Sequence, residues 1–298
     1  MKKKEKTKGQ NRLSEGKLAI ILISPALIII LAIAIFPLLQ TVSYSMQYYD
    51  LRFPLKQEFI GFQNYGRMLH NRVFWDATWN TVFFTVVSVS LEFAAGLLIA
   101  LLLHRKFIGR GIVRASVLVP WAIPTVISAR MWQWMYHDQF GIINYVFIKF
   151  GIIKEGIVWL QNPETSMISI IITDVWKTTP FMALMLLAGL QLINKNMYES
   201  ANIDGANSIQ KFFHITIPIL KPTIMVALIF RTLDAFRIFD LVKVMSYGRP
   251  PTLAYINYEN LIQFLKFGYG SAISIFIFIF IFIFAFIYMK SLGKKFER

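Results

Sequence analysis

Long apolar runs separated by polar intervals dominate this sequence. The runs are Leu18–Leu39, Thr78–Leu103, Ala115–Tyr136, Ser166–Leu192, Thr223–Tyr247 and Gly270–Met289. Each run approaches or exceeds the ~18 residues that an α-helix needs to cross the hydrocarbon core of a bilayer. The pattern therefore predicts six transmembrane helices.

The last run alternates isoleucine and phenylalanine from Ile275 to Phe284. Such alternation is typical of a strand, but both members of each pair are apolar, so no polar face results. An isolated strand would also leave edge groups that lipid cannot hydrogen-bond, whereas a helix satisfies its own backbone. We therefore predict a helix here as well.

The composition agrees with a membrane protein. Of the 298 residues, 56% are hydrophobic and 16% are charged, and the mean hydropathy is +0.55; soluble domains average about 25% charged residues. We predict an all-α integral membrane protein, because the alternative, a large hydrophobic soluble domain, would not need such runs. The chain has no cysteine, which excludes disulfides and thiol-ligated metals, and its histidines show no ligand spacing.

The formal net charge of +15 indicates membrane topology and not nucleic-acid binding. A nucleic-acid-binding protein clusters Lys and Arg on one polar face among aromatic side chains, whereas here the basic residues lie at the ends of apolar runs. Segments on the side of the N-terminus are richer in them, which predicts that both termini are cytoplasmic; an inverted topology is the alternative. The richer side holds Lys2, Lys3, Lys4, Lys6, Lys8, Arg12, Lys17, Arg105, Lys106, Arg110, Arg114, Lys195, Lys211, Lys221, Lys290, Lys294, Lys295 and Arg298, and the poorer side holds Arg52, Lys56, Arg67, Arg72, Lys149, Lys154, Arg249 and Lys266.

A basic N-terminus before an apolar run is also typical of a secretory signal peptide. The apolar region of a signal peptide spans about 7–15 residues and ends at a small-x-small cleavage site. The run after Lys17 is longer and leads into Phe36-Pro37-Leu38-Leu39-Gln40, so we interpret it as an uncleaved first transmembrane helix. The predicted segments are a basic cytoplasmic N-terminus (1–17), the first transmembrane helix (18–40), an extracytoplasmic loop (41–77), a five-helix core (78–290) with a cytoplasmic loop at 193–220, and a cytoplasmic tail (291–298).

The outer loop Tyr48–Asp76 mixes aromatic and amide residues, as in Phe59-Ile60-Gly61-Phe62-Gln63-Asn64-Tyr65. This composition predicts a structured interfacial segment. Trp75 and Trp79 are expected to anchor it, because amphipathic rings favour the membrane interface.

The polar interval from Tyr198 to Pro218 is expected to form two short helices. Asn196 with Glu199 and Asn207 with Gln210 fit capping boxes, and Gly205 between them is a natural helix stop. Pro218 and Pro222 are expected to end the second helix before the next span, and Phe212, Phe213 and Ile215 to pin it to the membrane domain.

The same interval has the character of a docking surface. Ser200, Ala201, Gly205 and Ala206 lack bulk and let another protein approach closely, while the acceptors Glu199 and Asp204 suit a basic partner. From the residues alone, an ordinary cytoplasmic connector is an equally weighted alternative.

Glu199-Ser200-Ala201, Gly205 and Ile217-Pro218-Ile219-Leu220-Lys221-Pro222 resemble the EAA motif of permease subunits in binding-protein-dependent ABC importers. The chain as a whole resembles the sugar permeases of the maltose, trehalose and glycerol-3-phosphate type. The blocks that carry this wider resemblance are Asn80-Thr81, Gly109-Arg110-Gly111, 119–124 (VPWAIP), 174–181 (DVWKTTPF), 187–191 (LAGLQ) and 231–240 (RTLDAFRIFD).

The resemblance implies the type I ABC importer permease arrangement, six transmembrane helices with a cytoplasmic coupling helix, in the plasma (cytoplasmic) membrane. The coupling helix would seat in a groove of a separate ATPase through Tyr198, Glu199, Ser200, Ala201, Asp204, Gly205 and Ala206. The implied partners are a second homologous permease subunit, two ATP-binding subunits that use ATP and magnesium, an extracytoplasmic solute-binding protein and a sugar. This chain lacks a phosphate-binding Gly-x-x-x-x-Gly-Lys-Ser/Thr motif, so it is not expected to be the ATPase or to hold a cofactor or metal itself.

Two positions depart from the family pattern. Ser200 replaces the usual alanine, which should preserve docking. Tyr247-Gly248-Arg249-Pro250-Pro251 replaces the usual Gly-Gly-Pro-like element, so the outer loop and the choice of partner are expected to differ.

Several ionisable residues lie in or near the runs, where a charge costs on the order of 2.5–3.5 kcal/mol on insertion scales. Arg231–Asp234 and Arg237–Asp240 have the i,i+3 spacing of helical ion pairs. Such pairs either fix the bundle or bind the second permease subunit, or they form a gate or a polar wall of a translocation path. The other members of this set are Glu92, Arg130, Asp174, Lys177 and Lys243.

A sugar path needs donors and acceptors for hydroxyl groups together with flat apolar faces that stack on pyranose rings. Pro120, Pro124 and Pro180 free backbone carbonyls and are expected to mark bends around the path. The candidate residues of the gate or path are Trp121, Asp174, Trp176, Phe181, Asp234, Arg237, Asp240, Tyr247, Asn257 and Tyr258, with Trp132 and Trp134 as further aromatic candidates.

The sequence thus favours the permease subunit of an ATP-driven importer of a di- or oligosaccharide. A glycerol-3-phosphate importer is the alternative in the same class, and abundant buried arginine would favour it. A secondary transporter would need ion-coupling sites and usually inverted repeats, and an intramembrane enzyme would need catalytic residues; neither pattern is present, and no catalytic residue is predicted.

Overall fold

The computed structural model describes residues 15–293 and is mostly helical. The basic stretch 1–14 and the end of the tail, 294–298, lie outside the described residues. Within the described range, five helices are long and apolar enough to cross a membrane, and a sixth span results if one bent helix pair counts as a span. The fold is therefore the predicted all-α membrane bundle.

The first span stands apart from the bundle over much of its length. Helix α1 (Glu15–Ile30), a π-turn (Leu31–Ile35) and α2 (Phe36–Ser45) follow one another without a break. None of the most apolar window of this span is buried by the rest of the chain. Only its C-terminal part, α2, packs extensively on another spanning helix, α14 (Phe267–Gly293).

The core of the bundle is made by α4 (Arg72–His104), α8 (Pro163–Gln191) and α11 (Ile217–Ala235). Helices α4 and α8 share the most extensive contact. A Cβ atom added at Gly96 would lie 2.7 Å from Cγ of Met182, so the absence of a side chain at Gly96 allows this close packing.

The predicted third span, Ala115–Tyr136, is not one helix. The structure has α5 (Arg110–Ala122) and α6 (Thr125–Met135), which meet at an angle of 91°. The physical cause is Pro124, because a residue before proline is disfavoured in the helical conformation and proline has no N–H. Ile123 accordingly has extended dihedral angles (φ −74°, ψ 132°).

The predicted fifth span, Thr223–Tyr247, also differs. The continuous helical stretch that contains this span runs from Ser208 to Ala235, and the chain then breaks before a separate helix, α12 (Asp240–Ser246). At the break Phe239 leaves the helical region (φ −135°). Apolar character thus continues past the point where the helix ends.

The expected structured segment after the first span is a short ribbon followed by a helix. Strand β1 (Gln47–Tyr48) pairs antiparallel with β2 (Glu58–Phe59), with Gln47 opposite Phe59, and α3 (Gln63–Leu69) follows. Buried Asn64 holds the ribbon to α3, since its Nδ2 donates to the carbonyl oxygens of Ser45 (2.9 Å) and Gln47 (2.8 Å). Trp75 and Trp79 are exposed at the start of α4, and their anchoring role stays a prediction.

Asp50 and Arg52 form an ion pair just after β1. Nε of Arg52 donates to Oδ1 of Asp50 at 2.9 Å, and Nη2 donates to Oδ2 at 2.5 Å. Hydrogen bonding from Arg52 holds the pKa of the Asp50 carboxyl below its ordinary value.

The remaining helices are short and lie in the connections between spans. They are α7 (Ile142–Lys149), α9 (Lys195–Ile203), α10 (Ser208–Lys211) and α13 (Leu253–Tyr258), with π-turns at Phe212–Thr216 and Glu259–Gln263.

Candidate functional site

A buried ion network joins the three core helices. Arg231 of α11 donates from Nε and Nη2 to the carboxylate of Glu92 on α4, with an Nη2–Oε1 distance of 2.8 Å, and from Nη2 to Oδ2 of Asp174 on α8. Arg231, Glu92 and Asp174 are 3%, 0% and 4% exposed. One guanidinium thereby ties together helices whose charged residues are far apart in the sequence.

Of the two expected i,i+3 pairs, one forms and one does not. Nη1 of Arg231 donates to Oδ2 of Asp234 at 3.1 Å. Arg237 and Asp240 are both exposed, and within the described part of the chain they make no ion pair. The helical spacing is lost between them because α11 ends at Ala235 and α12 begins only at Asp240.

A cavity of about 200 Å³ opens beside this network, between the end of α5, the middle of α8 and the end of α11. It brings together five of the ten residues predicted for the gate or path: Trp121, Asp174, Asp234, Arg237 and Asp240. Its wall also contains Thr125, Lys177, Thr178, Arg231, Ile238 and Phe239. Carboxylates, cations and an indole face therefore meet around one space.

An aromatic pair flanks this cavity. Trp121 stacks on Phe181 with ring centroids 6.1 Å apart and planes inclined by 23°. About half of the Trp121 surface is exposed. Trp121 thus offers a flat face at the cavity, and Phe181, which does not line the cavity itself, supports that face from behind.

A larger and more open cavity, of about 640 Å³, contains Asn257 and Tyr258. Arg237 and Phe239 line both cavities, so the two spaces are neighbours. Tyr258 accepts a hydrogen bond from Nζ of Lys243 at 2.8 Å. Nδ2 of Asn257 donates to Oγ of Ser274 at 2.9 Å.

The other predicted path residues lie elsewhere. Trp176 packs edge-on against Trp132 (ring centroids 5.5 Å apart), and Trp134 is exposed beside Phe140. Tyr247 lines a separate cavity of about 200 Å³ with residues around Trp159. These residues do not meet in one site.

Three further residues at this site were predicted as ionisable groups in or near the apolar runs but were not among the ten residues predicted for the gate or path. They are Glu92, Lys177 and Arg231. Nζ of Lys177, which is 7% exposed, donates to the carbonyl oxygen of Ile123 at 2.7 Å. The sequence showed a charge inside a run for all three, and it placed Lys177 and Arg231 in blocks that carry the family resemblance. It did not show their contacts across the bundle, because those partners come from other helices.

A second candidate site is the polar interval between α8 and α11. The structure has the expected two helices, α9 and α10, and Gly205 between them adopts φ +77°, a left-handed conformation that favours glycine. Asn207 and Gln210 form the expected capping box. The first box does not form: the N-cap of α9 is Asn194, whose side chain accepts from the N–H of Asn196.

The docking residues predicted in this interval lie mostly on its surface. Glu199, Ser200, Asp204 and Gly205 are exposed, whereas Ala201 and Ala206 are half-buried. Tyr198 is also half-buried and points back into the protein, where its hydroxyl group hydrogen-bonds Oγ1 of Thr216 at 2.8 Å. Tyr198 therefore positions α9 on the bundle. Two isoleucines that the sequence did not single out, Ile203 and Ile209, are 87% and 70% exposed on the same surface.

The link from this interval to the next span differs from the prediction. Pro218 and Pro222 do not end the helix: α10, the π-turn and α11 run on as one stretch from Ser208 to Ala235. Pro218 follows the π-turn Phe212–Thr216 closely, and Pro222 lies inside α11. Ile215 packs against the bundle as expected, but Phe213 is 61% exposed and does not pin the helix.

Comparisons with known proteins agree on one family. The sequence profile described as "Binding-protein-dependent transport system inner membrane component" matches residues 92–298. A trehalose/maltose transport system permease protein from Thermococcus litoralis is 44% identical over 93% of this chain and 94% of its own length. A sulfoquinovosyl glycerol transport system permease protein from Agrobacterium fabrum is 39% identical over 95% of this chain and 92% of its own length.

The fold has solved counterparts. A chain from the crystal structure of a bacterial ABC transporter that imports the acidic polysaccharide alginate superposes with a TM-score of 0.79, at 23% identity, over 94% of this chain and 96% of that chain. Together with the spanning helices described above, these matches show that the chain is membrane-embedded and belongs to the family of inner membrane components of binding-protein-dependent transport systems.

Proposed function

We propose that this chain is the permease subunit of an ATP-driven ABC importer for a carbohydrate, with a di- or oligosaccharide as the substrate. The observation that carries the proposal is the cavity beside the Arg231 network, which combines the face of Trp121 with exposed Arg237, Asp234 and Asp240. Stacking faces and groups that hydrogen-bond hydroxyls are what a sugar ring requires. The names of the two relatives, which refer to trehalose/maltose and to sulfoquinovosyl glycerol, support the same substrate class.

The alternative substrate in this class is glycerol-3-phosphate. A phosphate group needs free cationic donors. Arg231 already binds Glu92, Asp174 and Asp234, and the ammonium group of Lys177 donates to the carbonyl oxygen of Ile123. Arg237 is then the cavity cation with neither an ion pair nor a side-chain hydrogen bond among the described residues. This charge balance favours the neutral sugar. A secondary transporter remains a further, less favoured alternative.

The energy would come from a separate ATPase. The exposed stretch α9–Gly205–α10 would dock into a groove of that subunit, of which two copies would bind ATP and magnesium in the cytoplasm, where both termini of this chain would also lie. A second homologous permease subunit and an extracytoplasmic solute-binding protein would complete the importer. Closure of the ATPase pair would then drive rigid-body movement of the helix bundles and alternate the access to the cavity.

The test begins with the cognate solute-binding protein, because much of the selectivity of such a system would reside there. Its thermal stability is measured with trehalose, maltose, longer glucans and glycerol-3-phosphate. The stabilising ligand is then supplied in labelled form to proteoliposomes that contain the whole complex. We expect ATP-dependent uptake of a sugar; uptake of glycerol-3-phosphate alone, or uptake driven by an ion gradient without ATP, would contradict the proposal.

A further inference from the structure

The break between α5 and α6 leaves a backbone acceptor without its helical partner. In a continuous helix the carbonyl oxygen of Ile123 would accept from the N–H of Ile127. That N–H instead donates to the carbonyl oxygen of Pro124 at 3.0 Å. A carbonyl group at membrane depth that finds no donor costs several kcal/mol, so the bend requires a replacement.

Lys177 of α8 is that replacement. Its ammonium group donates to the freed Ile123 oxygen at 2.7 Å, and its side chain is 7% exposed. Among the described residues no carboxylate lies within ion-pair distance of it. The backbone of the break is therefore its hydrogen-bond partner, and a charge-assisted bond of this kind is stronger than a neutral one.

A second contact lies one helical turn away on the same face of α8. Phe181 follows Lys177 by four residues, and its ring stacks on Trp121, two residues before Ile123. The end of α5 is thus held to α8 at two points, by a charge-assisted hydrogen bond and by an aromatic contact. Both Trp121 and Lys177 line the cavity of about 200 Å³.

We propose that Lys177 is a positioning residue of the translocation cavity: by hydrogen-bonding the Ile123 carbonyl group it fixes the bend between α5 and α6 and so holds Trp121 against the cavity. Although Lys177 also lines the cavity, its proposed effect on substrate binding is exerted through the position of Trp121. The predicted effect of Lys177 on transport rests on the proposed function, whereas its predicted effect on the angle between α5 and α6 does not.

The bend can be measured directly because the chain has no cysteine. Spin labels at Ile112→Cys on α5 and Met131→Cys on α6 occupy exposed positions. From a rise of ~1.5 Å per residue, these positions are roughly 20 Å apart at a right-angle bend and would be roughly 28 Å apart in a straight helix. We expect a narrow distance distribution in the wild-type protein. Lys177→Met should broaden it toward longer distances, and Lys177→Arg, which keeps a cationic donor, should restore it.

Uptake by the whole complex gives the second readout. Lys177→Met should raise the apparent KM by about 10-fold, the size of effect expected from one hydrogen bond to a charged group, with little change in Vmax, and Lys177→Arg should return it to near the wild-type value. Unchanged label distances in Lys177→Met would overturn the proposal. Should that variant fail to assemble, Lys177→Gln, which replaces the ammonium group by a shorter neutral donor, must broaden the same distances; an unchanged distribution there would also overturn the proposal.

The two readouts separate this proposal from the assignment of the substrate. A broadened bend with no sugar transport in any variant would leave Lys177 as the residue that holds the break and would contradict the carbohydrate function. Altered transport with an unaltered bend would contradict the role of Lys177.

Discussion

At the scale of single residues, Arg231 is the residue that holds the buried ion network together. Its guanidinium satisfies Glu92 and Asp174, two carboxylates that are 0% and 4% exposed. Buried ion networks of this kind often add little net stability compared with apolar packing, but removal of one partner leaves uncompensated charge behind. The network therefore constrains how α4, α8 and α11 can move relative to one another.

Replacement of Arg231 should destabilise the protein strongly. Arg231→Leu leaves Glu92 and Asp174 without their cation, and we expect a loss of about 3–5 kcal/mol. The measurement is thermal unfolding of the detergent-solubilised protein. Arg237→Leu is the matched control, because Arg237 is exposed and forms no ion pair among the described residues; equal melting temperatures for the two variants would refute the structural role of the network.

Asp240 belongs to the cavity and not to the network, so its replacement should affect transport more than assembly. Asp240 is exposed in the first turn of α12. Asp240→Asn removes a charge but keeps the size of the side chain, and we expect reduced uptake with normal amounts of co-purified partner subunits. A complex that fails to form would instead assign Asp240 to a subunit contact.

At the scale of elements, the α9–Gly205–α10 stretch is a surface that the rest of the chain holds in place. Tyr198 attaches α9 to the bundle, and the continuous helix from Ser208 to Ala235 joins α10 directly to a span. A force applied to α10 would pass into α11, and thereby to Arg231, without a flexible joint. This continuity is what a coupling element requires.

Gly205→Asp should abolish uptake while the subunit still reaches the membrane. A Cβ at Gly205 meets nothing within 4 Å in this chain, so the added bulk and charge would act on a docked partner. The backbone strain of a side chain at φ +77° is controlled by Gly151→Asp, since Gly151 has φ +68° and equally open space in a predicted outer loop. The docking role would be contradicted if Gly205→Asp showed wild-type uptake with the ATPase still bound. It would also be contradicted if Gly151→Asp lost as much uptake as Gly205→Asp.

At the scale of the whole molecule, the first span is an apolar helix with few partners within the described chain, and α1, α2 and α14 leave much of their surface uncovered. Lipid or a second membrane subunit must cover these faces, because apolar side chains gain free energy only when they are removed from water. These uncovered faces are therefore available to lipid or to another membrane subunit.

The predicted orientation is open to a direct test. Leu55→Cys in the turn between β1 and β2 and Ile209→Cys in α10 place single thiols at positions that are 101% and 70% exposed. With the termini inside, a membrane-impermeant maleimide should label Leu55→Cys in cells whose cytoplasmic membrane is intact and Ile209→Cys only after that membrane is permeabilised. The reverse result would establish the inverted topology. A bound ATPase would shield Ile209→Cys, so labelling is compared with and without that subunit.

The sequence by itself determined the class of the protein, the approximate positions of the spans, the capping box at Asn207 and the family. These features depend on run length, local hydrogen bonds and motifs, which are properties of neighbouring residues. Even at short range the sequence was misleading where two local tendencies compete. Asn194 and not Asn196 caps α9, and Pro218 and Pro222 lie within a helical stretch that they were expected to interrupt.

Only the tertiary structure decided which charges pair and which residues share a cavity. Arg231 binds Glu92 and Asp174 from other helices, while Arg237 and Asp240, spaced like a helical pair, are separated by a break. The sequence showed Lys177 as a charge in an apolar run, whereas the structure shows that it binds the carbonyl group of Ile123, which the bend at Pro124 leaves free. The physical reason is that a buried charge or a freed backbone group takes the partner that the packing of helices brings near, and sequence spacing does not encode that neighbour.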